Sequence, residues 1–156
     1  PCGVGVENEA RHQDREPCIL CGVVMKYRAG YKYQLVEDVT VRTGIYGRNI
    51  ETDYISLYAN GVLIIRKGYA WDGPSGPTID TKNSMRAALV HDAGYQLMRE
   101  GYLPLEYKGY FDELFFNILR EDGMSWIRAI IWLRAVQGFG KQASLPENDR
   151  PILEAP

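Results

Sequence analysis

The sequence predicts an α+β fold, with an N-terminal antiparallel β region, a long loop rich in glycine and proline, and then three helices. Three observations support this prediction. β-forming residues alternate with polar ones over residues 31–71, Gly and Pro recur over residues 71–84, and apolar residues follow a helical spacing over residues 85–137. Since 156 residues are enough to bury a core, we expect a single α+β domain at residues 25–140.

The β region is predicted from two stretches of the sequence. From Tyr33 to Val41, in YKYQLVEDVTVRT, apolar residues alternate with polar ones, as in a strand with one buried face. Farther along, Asn60-Gly61 separates two β-forming runs and predicts a hairpin. Both residues tolerate positive φ, so we expect a tight primed turn between the strands. The expected strands are residues 54–59 and 62–67.

The loop over residues 71–84 is long for a connection inside a compact domain, which favours a functional loop, with a packed Ω-loop as the alternative. After it the spacing predicts three helices. Ser84 suits the N-cap of the first helix and Gly101 its end, and the apolar residues of this helix surround most of its circumference, which predicts burial. The expected helices are residues 85–100, 106–121 and 125–137.

The composition narrows the function classes. The net charge is −2 and 24% of the residues are charged, which argues against a broad basic surface for nucleic acid. No basic segment followed by an apolar one opens the sequence, so we see no signal peptide. The most apolar late segment, WIRAIIWLRAV, is interrupted by Arg128 and Arg134, so we expect no transmembrane segment.

All three cysteines lie within the first 21 residues, so the core is expected to be independent of cysteine. Together with a nearby histidine they could form a Cys3His zinc site, although the spacing is not that of a standard finger, and unligated thiols are the alternative. The residues of this zinc hypothesis are Cys2, His12, Cys18 and Cys21. Because Met25 would be a natural start for the folded domain, we interpret residues 1–24 as an appended arm and residues 141–156 as a polar C-terminal tail.

The first predicted helix places His91 and Asp92 side by side in the apolar run RAALVHDAGYQLM. His91 and Tyr95 share a face because they are four residues apart, whereas Asp92 is rotated by about 100°. On the second helix, Asp112 lies among phenylalanines and needs a hydrogen-bond partner there. If the two helices pack antiparallel, Asp112 can accept from one imidazole nitrogen and leave the other as a base, and Tyr95 can donate to the same carboxylate.

Asp92 is expected to project toward the glycine-rich loop WDGPSGPT. A carboxylate facing loop carbonyl groups suggests a hard cation, and calcium is the cation we predict. Asp72, within the loop, could contribute to the same site, and the alternative is that it caps the loop together with Ser75.

These residues resemble the HDxxY helix and partner aspartate of the phospholipase A2 enzymes, over residues 71–116 only. The resemblance implies that His91 is the general base, that Asp92 is a calcium ligand, and that Asp112 and Tyr95 orient the histidine. It also implies a calcium loop in the backbone from Gly73 to Gly76. The chain departs from that family because no cysteines flank the helix and the loop has no Gly-Cys-Gly-Gly pattern.

A broader resemblance covers residues 31–123. Three segments in this order resemble a family of small phage and prophage proteins that is catalogued as a domain of unknown function: GYAWDGPSGP, AALVHDAGY and FDELFFNIL. That resemblance implies a viral origin and by itself implies no activity. It places the protein in the host cytoplasm during infection, or in the virion.

Two functions from different classes follow. In the first, a phage-encoded hydrolase uses His91 to activate water against an ester, such as that of a lipid, while Asp92 holds a cation. In the second, the protein is a virion component of the tail or baseplate, its partners are other virion proteins, and the His-Asp centre is a packing network. Tyrosine-rich strands, the arm or the tail would then contact other chains. A third class, the HD-type metal phosphohydrolases, needs further histidines, and the chain offers only His12.

Overall fold

A computed structural model describes residues 27–28, 33–73 and 81–146. Antiparallel strands form the N-terminal half and three α-helices follow, so the predicted α+β class is confirmed. The strands of this part are β1 (Tyr27–Arg28), β2 (Tyr33–Leu35), β3 (Val39–Arg42), β4 (Ile50–Glu51), β5 (Ile55–Leu57), β6 (Val62–Ile65) and β7 (Ala70–Trp71). The helices are α1 (Met85–Arg99), α2 (Lys108–Glu121), which a 3-10 turn at Leu105–Tyr107 precedes, and α3 (Trp126–Ala143).

The strands divide into two antiparallel sheets, β1-β2-β7 and β3-β6-β5-β4. The four-stranded sheet is formed entirely by residues between β2 and β7, and Tyr33 of β2 pairs with Trp71 of β7. Alternate residues of β3 are buried, as its polar and apolar alternation predicts. Alternate residues of β6 are buried although all four are apolar, and all three residues of β5 are buried. The buried apolar residues of the strands share one hydrophobic core with all three helices, and the Tyr110 hydroxyl of α2 donates to the Thr43 carbonyl just after β3.

The predicted hairpin is present, but its predicted primed turn is wrong. β5 pairs with β6, and the Tyr58 amide donates to the Val62 carbonyl across the connection. Gly61 has φ of 80°, whereas Asn60 does not have positive φ. The Gly61 amide donates to the Tyr58 carbonyl, so the connection is a three-residue loop that ends in a left-handed glycine. A single residue with positive φ suffices for this longer loop.

α1 and α2 pack antiparallel, which is the condition under which Asp112 was expected to meet His91. Arg86, early in α1, forms ion pairs with Asp122 just beyond α2 at 2.7 Å and with Glu121 at 2.8 Å. Later in α1, Gly94 lies against the Phe111 ring near the start of α2. α1 is buried over most of its circumference, which confirms the prediction from its apolar residues.

The helix ends differ from expectation in that α2 begins at Lys108 rather than at residue 106, and in two further respects. Ser84 precedes α1, but its side chain makes no capping bond to the helix. Its hydroxyl oxygen accepts from the Thr81 amide at 3.2 Å and its hydroxyl hydrogen donates to the Thr81 carbonyl at 2.7 Å, so the preceding turn takes both bonds. α3 continues past the predicted end at Gln137 to Ala143, since the glycines at 138 and 140 weaken a helix without blocking it. Within the described residues, none of the helices has both the length and the apolar character needed to cross a bilayer.

Candidate functional site

Asp112 of α2 forms the centre of a buried polar cluster. Its carboxylate is 2% exposed and accepts three hydrogen bonds. The His91 Nε2–H donates to Oδ1 at 2.9 Å, the Tyr95 hydroxyl donates to Oδ1 at 2.7 Å, and the Lys108 ammonium donates to Oδ2 at 2.8 Å. His91 and Tyr95 lie one turn apart on α1, and Lys108 lies one turn before Asp112 on α2, so two short helical spacings assemble the cluster.

The cluster holds Asp112 in its ionised form. Burial alone would raise the pKa of Asp112, but the hydrogen bonds from His91, Lys108 and Tyr95 lower it to about 2. An ionised carboxylate can only accept hydrogen bonds, so the proton on the imidazole stands on Nε2. In the neutral ring, Nδ1 of His91 is therefore the nitrogen that can accept a proton.

The His91 ring lies against two aromatic rings. Its centroid lies 4.0 Å from that of Tyr95 and 5.2 Å from that of Phe115. Nδ1 lies 3.9 Å from Oδ1 of Asp92, and the whole residue is 6% exposed. Burial opposes protonation of the ring, but the Asp112 hydrogen bond and the neighbouring Asp92 outweigh it and raise the pKa of His91. Both carboxylates therefore favour the imidazolium.

Asp92 stands on the side of α1 toward the end of β7. Its side chain is 32% exposed. Burial raises the pKa of Asp92, the neighbouring His91 opposes this rise, and the negative charge of Asp72 adds to it. Gly73, directly after Asp72, has φ of 78°, a left-handed conformation that glycine adopts without strain. Two carboxylates thus act on each other electrostatically where the chain leaves β7.

The donor chemistry of this region suits a hard cation, because carboxylate and carbonyl oxygens are the ligands that calcium takes. Among the residues that the structure describes, no group of three His, Cys, Asp or Glu side chains could hold a metal ion. Asp72 and Asp92 would therefore need backbone carbonyl oxygens to complete a coordination shell.

The structure brings together His91, Tyr95 and Asp112 as the sequence analysis expected, with Asp92 beside the histidine. The electrostatic influence of Asp72 reaches Asp92, and Gly73 is adjacent to Asp72. The other predicted ligands lie outside the described residues: Gly76 of the calcium loop, and Cys2, His12, Cys18 and Cys21 of the zinc hypothesis.

Two residues of this region were not predicted: a member of the cluster and a neighbour of Asp92. Lys108 completes the Asp112 hydrogen bonds, and its spacing of four residues on one helix was the available signal. Tyr69, at the end of the β region, is 5% exposed and close enough to Asp92 that the carboxylate raises the pKa of its hydroxyl, after the larger effect of burial. No spacing rule links Tyr69 to α1, so only the fold reveals this neighbour.

Searches against family models, curated proteins and solved structures found no match to this chain.

Proposed function

We propose that this chain is a phage-derived hydrolase in which His91 activates water against an ester. The observation that supports the proposal is the triply bonded carboxylate of Asp112, which is held ionised and fixes the histidine tautomer. His91 Nδ1 accepts a proton from the attacking water as the water oxygen adds to the ester carbonyl carbon. The protonated Nδ1 then gives this proton to the leaving alkoxide as the ester C–O bond breaks, so that an acid and an alcohol are released, and Nε2 keeps its bond to Asp112 throughout. Tyr95 and Lys108 act as positioning residues, because each donates a hydrogen bond to the Asp112 carboxylate.

The charges around His91 favour the protonated state that the reaction forms. Asp112 lies 2.9 Å from Nε2, and Asp92 lies 3.9 Å from Nδ1. An imidazolium between two carboxylates is stabilised by both, which lowers the cost of taking a proton from water. Lys108 balances part of the Asp112 charge, so the cluster does not bury two unpaired anions.

Asp92 and Asp72 are the side chains that would hold a divalent cation in this proposal. Such a cation, when bound, would polarise the ester carbonyl and stabilise the oxyanion. Because Asp72 raises the pKa of Asp92, a cation between the two carboxylates would relieve a repulsion already present in the fold.

Calcium binding tests the cation part of the proposal. By calorimetry, the wild-type protein is expected to bind calcium with a Kd on the order of micromolar to millimolar. Asp92→Asn should abolish the heat, whereas Glu113→Gln, which removes an exposed carboxylate of α2, should retain it. Equal heats from Asp92→Asn and the wild type would remove Asp92 from any cation site.

Ester hydrolysis tests the role of the histidine. With p-nitrophenyl esters and phospholipid dispersions as substrates, His91→Gln is expected to lower kcat/KM by about 100-fold or more, since a lost general base has effects of that size. Glu113→Gln should keep the wild-type rate. The wild-type rate should also rise with pH as the His91 imidazolium loses its proton. This pH dependence should vanish in His91→Gln. A wild-type rate no faster than buffer on every ester would contradict the proposal.

A non-catalytic virion protein is the second candidate, and the 6% exposure of His91 favours it, because a sealed histidine can serve packing alone. This candidate predicts neither calcium heat nor ester hydrolysis in the wild type. It still predicts a loss of stability when Asp112 is replaced, so the binding and rate measurements separate the two functions.

A further inference from the structure

The outward side of α3 carries a group of apolar side chains in solvent. Trp126 is 59% exposed, Ile127 is 70% exposed and Ile131 is 58% exposed. Ile127 and Ile131 are one helical turn apart, and Trp126 adjoins Ile127 at the start of the helix. We call these three residues, with Arg134, the outer face of α3. Single exposed apolar residues are common on protein surfaces, whereas contiguous ones indicate a binding surface.

The opposite side of α3 supplies the packing that anchors the helix. Ala129 is fully buried, and Trp132, 3% exposed, lies 6.3 Å from the Phe115 ring of α2 between ring centroids. The outer face is therefore not needed to hold α3 in the fold.

The charged residues of α3 are all basic. Residues 126–143 contain no acidic residue, although the whole chain has a net charge of −2. Arg134 is exposed and lies three residues after Ile131 and seven after Ile127, on the same side of the helix. Arg128 is partly buried, and its guanidinium donates to the Thr81 hydroxyl at 3.3 Å. Within α3, the outer face thus combines apolar side chains with a positive charge, and the helix contributes no acidic residue to it.

We propose that α3 binds an anionic lipid surface through this outer face. A helix with exposed Trp and Ile and with Arg among them is suited to lie in the plane of a membrane interface. Trp126, Ile127 and Ile131 enter the boundary between headgroups and acyl chains, and Arg134 pairs with lipid phosphate. α3 lies outside residues 71–116, which carry the phospholipase resemblance, and the proposal holds whether or not His91 is catalytic.

Charge decides between a lipid surface and a second copy of the chain. In a two-fold symmetric dimer the same patch meets itself, which would bring two Arg134 side chains into one small apolar contact. An anionic surface instead complements Arg134.

Tryptophan fluorescence tests the proposal directly, because Trp126 is the exposed tryptophan of the three in the chain. Trp71 and Trp132 are each 3% exposed. Addition of phosphatidylglycerol vesicles should shift the emission to the blue and sediment the protein with the lipid, phosphatidylcholine vesicles should do so more weakly, and salt should reduce both effects. Phosphatidylglycerol brominated in its acyl chains should quench the shifted emission, and this measurement needs no variant.

Variants then locate the surface. The double variant Ile127→Ser/Ile131→Ser should weaken binding to phosphatidylglycerol vesicles by about tenfold or more, since the buried apolar area sets the affinity. Arg134→Gln should weaken the binding and reduce its dependence on salt. Matched controls are Leu105→Ser, which changes an exposed residue outside α3, and Arg42→Gln, which changes an exposed arginine on β3; both should bind like the wild type.

Three results would overturn the proposal. The first is unchanged emission and no sedimentation of the wild type with phosphatidylglycerol vesicles. The second is equal loss of binding in the controls and in the α3 variants. The third is a blue shift that grows with protein concentration in the absence of lipid, together with a dimer in sedimentation equilibrium, which would assign the outer face to a second copy.

Discussion

Replacing Gly94 with alanine is expected to destabilise the protein by about 3 kcal/mol or more, which is the upper range for overpacking a core. A Cβ atom at this position of α1 would stand 2.2 Å from Cδ1 of Phe111. Phe111 is fully buried, so its ring has no space into which it can withdraw. The helices would have to separate, and urea unfolding monitored by circular dichroism would measure the loss.

Gly109→Ala is the matched control for Gly94→Ala. Gly109 lies on α2, and a Cβ atom there would meet nothing within 4 Å. Because alanine favours helix more than glycine does, this change should raise stability by up to about 1 kcal/mol. Adding Phe111→Leu to Gly94→Ala should recover part of the lost stability. Equal stability of Gly94→Ala and the wild type would show that α1 and α2 do not approach as closely as the structure describes.

Replacing Asp112 with asparagine should lower the free energy of unfolding at neutral pH by about 3 kcal/mol, because the change removes one partner of a buried ion pair. The amide cannot accept from His91, Tyr95 and Lys108 as the carboxylate does, and its own NH2 group would stand near one of these donors. Thermal and urea unfolding at pH 7 would measure the change.

The same residue predicts how stability depends on pH. The folded-state pKa of Asp112, about 2, lies below its usual value of 3.8, so its contribution is present above about pH 4 and is lost as the pH falls toward 2. The groups facing the carboxylate are His91 and Tyr95 of α1 and Lys108 of its own helix. The stability difference between the wild type and Asp112→Asn should therefore shrink across this range, by on the order of 2 kcal/mol.

Glu113→Gln is the control for both Asp112 measurements, since it removes a neighbouring carboxylate that is exposed. Its stability should stay within about 0.5 kcal/mol of the wild type, as is usual for surface changes. A stability difference between the wild type and Asp112→Asn that does not change from pH 4 to pH 2 would show that the carboxylate is not preferentially ionised in the folded state.

Much of the fold follows from local sequence patterns, and its remaining features depend on contacts that such patterns do not encode. Apolar spacing predicts the three helices, and Asn60-Gly61 predicts the hairpin. The division into two sheets was not predicted, because alternation specifies which face of a strand is buried and not which strand lies beside it. The pairing of Tyr33 with Trp71 joins residues far apart in the sequence, so no short window contains it.

The candidate site was predictable to a similar degree. His91 and Tyr95 share a helix face, and Asp112 needs a partner in an apolar run, so their meeting follows from helix geometry. The close approach of Gly94 to Phe111 was not predicted, because helical periodicity gives the direction of a side chain but not the distance between two helices. Residues 74–80, where the sequence predicts part of the calcium loop, lie outside the described structure.

The pairing of β2 with β7 has a consequence for the order in which the chain folds. Closing this pair before anything else would fix the ends of a loop that spans residues 33–71, and the entropy cost rises with loop length. If the β5–β6 hairpin and its sheet form first, the effective loop is shorter and the closure costs less. We therefore expect substitutions at Gly61 to slow refolding, and substitutions that weaken β7 to act mainly on the unfolding rate.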